Sequence, residues 1–357
     1  MAGRTREAGQ PGMFPSIIEK LMRREDLSSE EAGAAMAEVM EGRAADAQIA
    51  GLLIGLAMKG ERPAEIVGLA GTMRAHAVQL SRRHDGVFDT CGTGGDRSGT
   101  FNVSSCVALV VASCGVRVAK HGNRSISSLC GSADVFEALG VRVSAPPAIV
   151  ERCLVDANIG FFFAPTFHPS MRHAARTRSA LGVRTAFNLL GPLTNPAWPA
   201  RQLVGVPRPE FTELLARSLL RLGSERAWVV HGADGIDEIS TTGYTKISEC
   251  KGGSVNTFYL HPSDVGLPKA LPASLRGGDV QANARIVAAV LAGEAGSARD
   301  IVLLNAGASL FIAGAIRSVE DGISRASEAI ECGDARRTLD RLVSISASGE
   351  LAAGVSV

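Results

Sequence analysis

The rhythm of apolar residues changes once, near Ser81, and that change restricts the fold more than any other feature of the chain. From Pro15 to about Leu80 the spacing is helical: Ile17, Ile18, Leu21 and Met22 form one stripe, and Ala32, Met36, Val39 and Met40 form another. Ser28 followed by Glu31 predicts a capping box, Gly42 predicts a helix stop, and Pro63 predicts the opening of a helix over 64–74. Residues 49–58 are apolar on nearly every side and interrupted by Gly51 and Gly55. An internal core and a subunit interface both fit that pattern. Beyond Ser81, short β-rich runs alternate with helices, which predicts a mainly parallel sheet with crossover helices. The expected strands are 87–90, 116–119, 141–143, 160–164 and 227–231. The expected helices are 102–113, 133–139, 148–157, 282–291 and 302–313, and 245–249 with 257–260 flank Gly252-Gly253 as a hairpin.

Charge and composition then exclude several classes. Lys plus Arg (37) nearly cancels Asp plus Glu (36), so the chain has no overall attraction for nucleic acid or an anionic membrane. Aromatic residues are 4%, with no basic stretch interleaved with stacking rings. No apolar run approaches the ~20 residues of a membrane span, and the start of the chain lacks the apolar centre of a secretory signal, so a cytoplasmic protein is expected. Seven cysteines without a close CxxC pair favour neither a disulfide framework nor a zinc site. Any affinity for phosphate must be local.

Four segments carry that local chemistry. Residues 89–105 leave a predicted strand, cross Gly92, Gly94, Gly95 and Gly99, and enter a helix. Glycines let backbone N–H groups approach phosphate oxygens, and the helix start adds positive potential, although a lone Gly-rich turn has the same look. Residues 120–128 also follow a predicted strand and are dense in donors: Lys120, His121, Asn123, Arg124, Ser125, Ser127 and Ser128. Strand ends in open α/β sheets form ligand crevices, so the segment suits a polyphosphate. Ser132 is placed to cap the next helix. Asp237-Glu238, reached from Asp234 through Gly235, reads either as a solvated acidic turn or as a Mg2+ site, since this cation takes one or two carboxylates alongside phosphate. The fourth segment, 167–178, is an Arg-rich helix opening beside a Phe-rich strand, and nothing local chooses among its arginines.

Taken in order, GTGGD at 92–96, NVSS at 102–105, KHGNRS at 120–125, FNLLGPLTNP at 187–196 and GIDE at 235–238 resemble the anthranilate phosphoribosyltransferase family, over most of the chain from Phe14 onward. The resemblance implies an α/β fold of the nucleoside phosphorylase/phosphoribosyltransferase-like type: a small all-helical domain plus a larger α/β domain with a mainly parallel central sheet. The active site is then expected between the domains, and homodimer contacts through the helical part. The expected division is a disordered tail over 1–13, a helical domain over 14–80 joined by part of 170–198, and an α/β domain over 81–169 and 199–357. By the same resemblance, Gly92, Gly95, Asp96, Thr100, Asn102, Val103, Ser104, Ser105, Lys120, His121, Gly122, Asn123, Arg124, Ser125, Ile126, Ser127, Ser128 and Ser132 hold 5-phosphoribosyl 1-pyrophosphate. Ser104, Asp237 and Glu238 serve Mg2+, with two ions per site; Gly92, Asn123 and Arg178 contact anthranilate; and His121 lies close enough to assist catalysis, chiefly by positioning. Arg97 and Leu129-Cys130 depart from the residues many relatives carry. The competing expectations are a pyrimidine nucleoside phosphorylase-like enzyme, which would need a different Gly-rich loop, and a non-catalytic phosphosugar-binding protein.

Overall fold

Ser28 accepts a hydrogen bond from the Glu31 N–H, and Glu31 returns one from the Ser28 N–H, so the predicted capping box opens helix Ser29–Met40. A computed structural model of the chain describes residues 13–96, 98–125 and 129–348. Of the expected tail, only Met13 is among them, and it begins helix Met13–Met22. Arg97, Ile126, Ser127 and Ser128 lie outside the described residues.

The described chain divides into two compact units: one within Met1–His76 and Ser170–Leu190, the other within Ala77–Pro169 and Gly191–Val357. The helical unit also contains Asp46–Lys59, Pro63–Ala75, Arg172–Leu181 and the single turn Phe187–Leu190. In Asp46–Lys59 the two glycines are half-buried and face helix Met13–Met22. A Cβ on Gly51 would press on Ile18, and one on Gly55 on Leu21, so the glycines let this helix settle onto Met13–Met22. Thr177 donates to Asp46 Oδ1 at 2.6 Å, tying Arg172–Leu181 to the same helix.

The second unit is a seven-stranded sheet in the order β3-β2-β1-β4-β5-β6-β7. The strands are β1 Phe88–Gly92, β2 Val118–Gly122, β3 Ile159–Phe163, β4 Arg201–Gly205, β5 Arg226–Gly232, β6 Thr245–Lys251 and β7 Ser254–Leu260. The first five are parallel, and β6 and β7 add an antiparallel hairpin whose turn has Gly252 and Gly253 at positive φ. β1 continues to β2 on one side while β4 lies on the other, so the connections diverge between β1 and β4. That is the place where open α/β sheets bind ligands.

Two sequence expectations need correction. Residues 141–143 are not a strand: Val141 and Val143 are buried, but they pack as a turn with no neighbour to pair with. β4 had no expected counterpart, because Arg201 and Gln202 break the apolar pattern. Gln202 is nonetheless fully buried, its amide donating to the Pro192 carbonyl at 2.8 Å. Helices Glu210–Arg221, Val319–Glu331 and Asp334–Ala347 complete the layers packed on the sheet.

Candidate active site

The acidic pair meets the first Gly-rich loop at the divergence of β1 and β4. Gly92 and Gly205 are register partners at the ends of these strands. A Cβ on Gly92 would collide with the Asp237 carboxylate, and one on Gly205 with the Asp237 carbonyl. Side-chain absence at both positions is therefore what admits Asp237 to the strand ends. Asp237 Oδ2 accepts from the Gly94 N–H at 3.0 Å, and Glu238 Oε1 from the Ser104 N–H at 3.1 Å. Ser104 lies in the first turn of helix Val103–Ser113, so Glu238 faces that helix's positive end. Gly94 and Gly95 have φ of 67° and 76°, a backbone region that other residues enter at a cost.

Burial, and then the charge of Asp237, pushes the Glu238 carboxyl well above the usual carboxylate range, while Lys120 pulls the other way and Asp96 adds to the rise. Two crowded carboxylates and a nearby hydroxyl form a hard, oxygen-only donor set, and a divalent cation relieves their repulsion. The residues present therefore fit Mg2+. Asp234 plays a different part: its carboxylate accepts from the hydroxyls of Ser240 and Thr242 and shapes the turn.

The remaining residues of these segments divide into those committed to the protein and those left with open valences. Asp96 accepts from the Ser98 hydroxyl, which also meets Thr100 Oγ1 at 3.0 Å. Asn102 donates to the Cys130 carbonyl and accepts from Asn283 at 3.0 Å. Val103 packs in the core and its N–H goes to the Phe101 carbonyl, so it has little left to offer a ligand. The hydroxyls of Thr93 and Ser105 are buried without a hydrogen-bond partner among the described residues. Buried polar atoms are seldom left so, and a bound anion is one way to satisfy them.

Lys120, His121 and Gly122 belong to β2 itself rather than to the loop after it, because pairing with Phe161, Phe162 and Phe163 of β3 carries the strand further. Beyond β2, the Asn123 side chain accepts from the Arg124 N–H at 2.8 Å. Arg124 is half exposed and pairs with Asp134 and Glu137, which hold its guanidinium above the usual range. Asp134 also accepts from the N–H groups of Ser125 and Gly131. Ser132 is the first residue of helix Ser132–Ala138 and Gly131 its cap, so the expected capping role passes to another residue. The Ser132 hydroxyl points to the Asn123 carbonyl at 3.4 Å instead. Of the departures from the family pattern, Leu129 is exposed and Cys130 is buried.

His121 Nδ1 meets the Gly191 carbonyl at 3.0 Å; since a carbonyl only accepts, Nδ1 carries a proton in that contact. The His168 ring lies 5.2 Å away, centroid to centroid. Burial pushes His168 down to about 4, against a smaller upward pull from the Thr194 backbone. An unfolded imidazole titrates near 6.5, so between about pH 6.5 and 4 the unfolded chain binds a proton that the folded chain refuses. This contribution to stability is complete above that window and is lost as pH falls through it, by up to about 3 kcal/mol. His168→Gln should flatten the acid loss, read from urea unfolding at neutral and acid pH. An undiminished loss in the variant would assign it to another group.

In the helical unit, the Arg178 guanidinium lies 4.8 Å over the Phe187 ring. Burial lowers its pKa, and no carboxylate pairs with it among the described residues. A partly desolvated guanidinium over an aromatic face, without its own anion, is suited to an incoming carboxylate.

Two family descriptions match the chain: "Glycosyl transferase family, helical bundle domain" over 15–77 and "Glycosyl transferase family, a/b domain" over 84–336. The anthranilate phosphoribosyltransferase of Syntrophobacter fumaroxidans is 51% identical over 331 residues, covering 93% of this chain and 98% of that protein. The chain belongs to the anthranilate phosphoribosyltransferase family. A crystal structure of anthranilate phosphoribosyltransferase from Thermus thermophilus matches with a TM-score of 0.88 at 42% identity, covering 92% of this chain and 99% of that one. Anthranilate phosphoribosyltransferase from Saccharomyces cerevisiae in complex with PRPP (5-phosphoribosyl 1-pyrophosphate) and Mg matches with a TM-score of 0.86 at 26% identity, covering 95% of this chain and 99% of that one. For a member of the anthranilate phosphoribosyltransferase family, the residues that sequence reasoning passed over are Asp89, Asp134, His168 and Asn195. Each lies inside or beside a segment singled out above; Asp89, His168 and Asn195 act through partners distant in sequence, and Asp134 through Ser125 and Gly131 nearby. A charged Asp89 between Phe88 and Thr90 of a buried strand was the one local signal.

Proposed function

We propose that this chain transfers the phosphoribosyl group of 5-phosphoribosyl 1-pyrophosphate to the amino nitrogen of anthranilate, giving N-(5-phosphoribosyl)anthranilate and pyrophosphate in tryptophan biosynthesis. The observation that carries this reading is the meeting of the Gly-rich loop, the start of helix Val103–Ser113 and the Asp237–Glu238 pair at the ends of β1 and β4. Gly92, Gly95, Asp96, Thr100, Asn102, Ser104, Ser105 and the segment from Lys120 to Ser128, with Ser132, cradle the phosphosugar. Asp237, Glu238 and the Ser104 hydroxyl hold Mg2+, two ions per site, and Mg2+ when bound neutralises charge on the departing pyrophosphate.

Lys120 and the loop N–H groups hold the pyrophosphate so that the C1 bond can break with oxocarbenium character. The aromatic amine is neutral at pH 7 and needs no strong base, so orientation supplies much of the rate. Arg178 grips the anthranilate carboxylate and Asn123 orients the ring. His121 positions the amine, with Nε2 able to collect the proton released after the bond forms. The chain works as a cytoplasmic homodimer through its helical unit, where Met22 and Met58 are 78% and 72% exposed. Among the described residues, no helix is long and apolar enough to cross a membrane.

Expression in a tryptophan-requiring bacterium that lacks this phosphoribosylation step tests the reading. The account expects growth without tryptophan. Continued dependence on tryptophan, with folded protein present, would count against it.

A further inference from the structure

Asp89 is fully buried in β1, next to the β2 segment that carries Lys120 and His121. Every group bonded to its carboxylate is a donor. Oδ1 accepts from the His121 N–H at 3.3 Å; Oδ2 accepts from Asn195 Nδ2 at 2.9 Å and from the Cys91 thiol at 3.4 Å. Such a ring of donors suits an ionised carboxylate. Asn195 uses the same amide nitrogen to reach the Ala119 carbonyl at 2.8 Å, and its Oδ1 accepts from the Ala197 N–H at 2.9 Å. The backbone of β2 is thus tied on both sides of Lys120, at Ala119 and at His121, to one buried Asp–Asn pair.

Lys120 is 2% exposed, and its charge is felt by both Asp89 and Glu238. An ammonium so far from water needs an anion nearby, since an unpaired buried charge costs several kcal/mol. Glu238 is assigned to the cation, so it is an unreliable counter-charge for Lys120. Among the described residues, Lys120 is the one cation that acts on Asp89. Burial raises the Asp89 carboxyl above the usual carboxylate range, with Lys120 and the three donors pulling only partly against that rise.

We propose that Asp89 is a positioning residue for the phosphosugar: held by Asn195, it fixes the end of β2 and supplies the standing counter-charge that keeps the Lys120 ammonium aimed at the pyrophosphate. The inference rests on the proposed function, because the anion that Lys120 meets is the pyrophosphate of that reaction. Its sign is distinctive. Simple electrostatics would have removal of a negative charge tighten anion binding, whereas here it loosens binding, because Lys120 is no longer held in place.

A double-mutant cycle tests it: Asp89→Asn, Lys120→Met and the combination, titrated calorimetrically with 5-phosphoribosyl 1-pyrophosphate and Mg2+, and in parallel with inorganic pyrophosphate and Mg2+. Each single variant is expected to weaken binding of both probes about tenfold. The double variant should bind no worse than Lys120→Met alone, since Asp89 acts through Lys120. In steady-state assays the Michaelis constant for the phosphosugar should rise about tenfold in Asp89→Asn, and that for anthranilate, which His121 alone would transmit, by much less. Additive losses in the cycle, or tighter binding in Asp89→Asn, would overturn the proposal. Should Asp89→Asn fail to fold, Asp89→Glu decides: it keeps the charge and is expected to bind within about threefold of the wild type, and a tenfold loss would overturn the proposal. Failure of the wild type to bind either probe would instead remove the proposed function, which separates the two readings.

Discussion

Changing Asp237 and Glu238 together to Asn and Gln is expected to lower turnover by roughly a hundredfold or more, the scale of removing a group that stabilises charge on a leaving phosphate. The loss should be steepest at limiting Mg2+ and partly recovered by excess. It should not be a folding defect. The wild-type pair is crowded, with Glu238 buried against the charge of Asp237, so neutral amides of the same shape relieve repulsion in the absence of metal. They also keep oxygens that can accept from the Gly94 and Ser104 N–H groups. Turnover across a Mg2+ titration, with thermal unfolding measured in parallel, checks both halves. Full activity of the double variant at limiting Mg2+ would remove the pair from the site.

Arg178→Ala is expected to raise the Michaelis constant for anthranilate by about ten- to a hundredfold, because a well-placed charge-assisted contact is worth roughly 1.5–3 kcal/mol. The constant for the phosphosugar should move far less. Arg178→Lys should rescue only in part. The guanidinium carbon lies 4.8 Å from the Phe187 ring centroid, and an ammonium lacks the paired donors a carboxylate accepts. Aniline, which lacks the carboxylate, supplies the control: both variants should lose most of the wild-type preference for anthranilate over aniline. If that preference survives in folded variants, Arg178 serves the fold and another residue reads the acid.

What the sequence disclosed was mostly local. The Ser28–Glu31 box, the Gly252-Gly253 hairpin and the Gly92–Ser105 passage from strand to helix each depend on residues a few positions apart, and each has the geometry expected of it. Burial without pairing misled at Val141 and Val143, where alternating apolar residues fill the core but meet no neighbouring strand. Polarity misled in the opposite direction at β4, because Gln202 is buried with its amide nitrogen donating to the Pro192 carbonyl. Ser132 looked like a cap, but Gly131 holds that position. The acidic pair was visible as residue types, yet its meeting with Gly92 and Gly205 depends on strand order, which no local spacing encodes. Asp89 and Asn195 were hidden for the same reason: their hydrogen bond spans 106 positions.

The central claim is the transfer itself, and anthranilate's own fluorescence follows it directly. The purified chain would be mixed with anthranilate, 5-phosphoribosyl 1-pyrophosphate and Mg2+, with each of the last two omitted in turn, while released pyrophosphate is measured in the same samples. The account predicts loss of anthranilate fluorescence only in the complete mixture, with one pyrophosphate released for each anthranilate consumed. Undiminished fluorescence from a folded chain that binds the phosphosugar, or phosphorolysis of a pyrimidine nucleoside in its place, would contradict it.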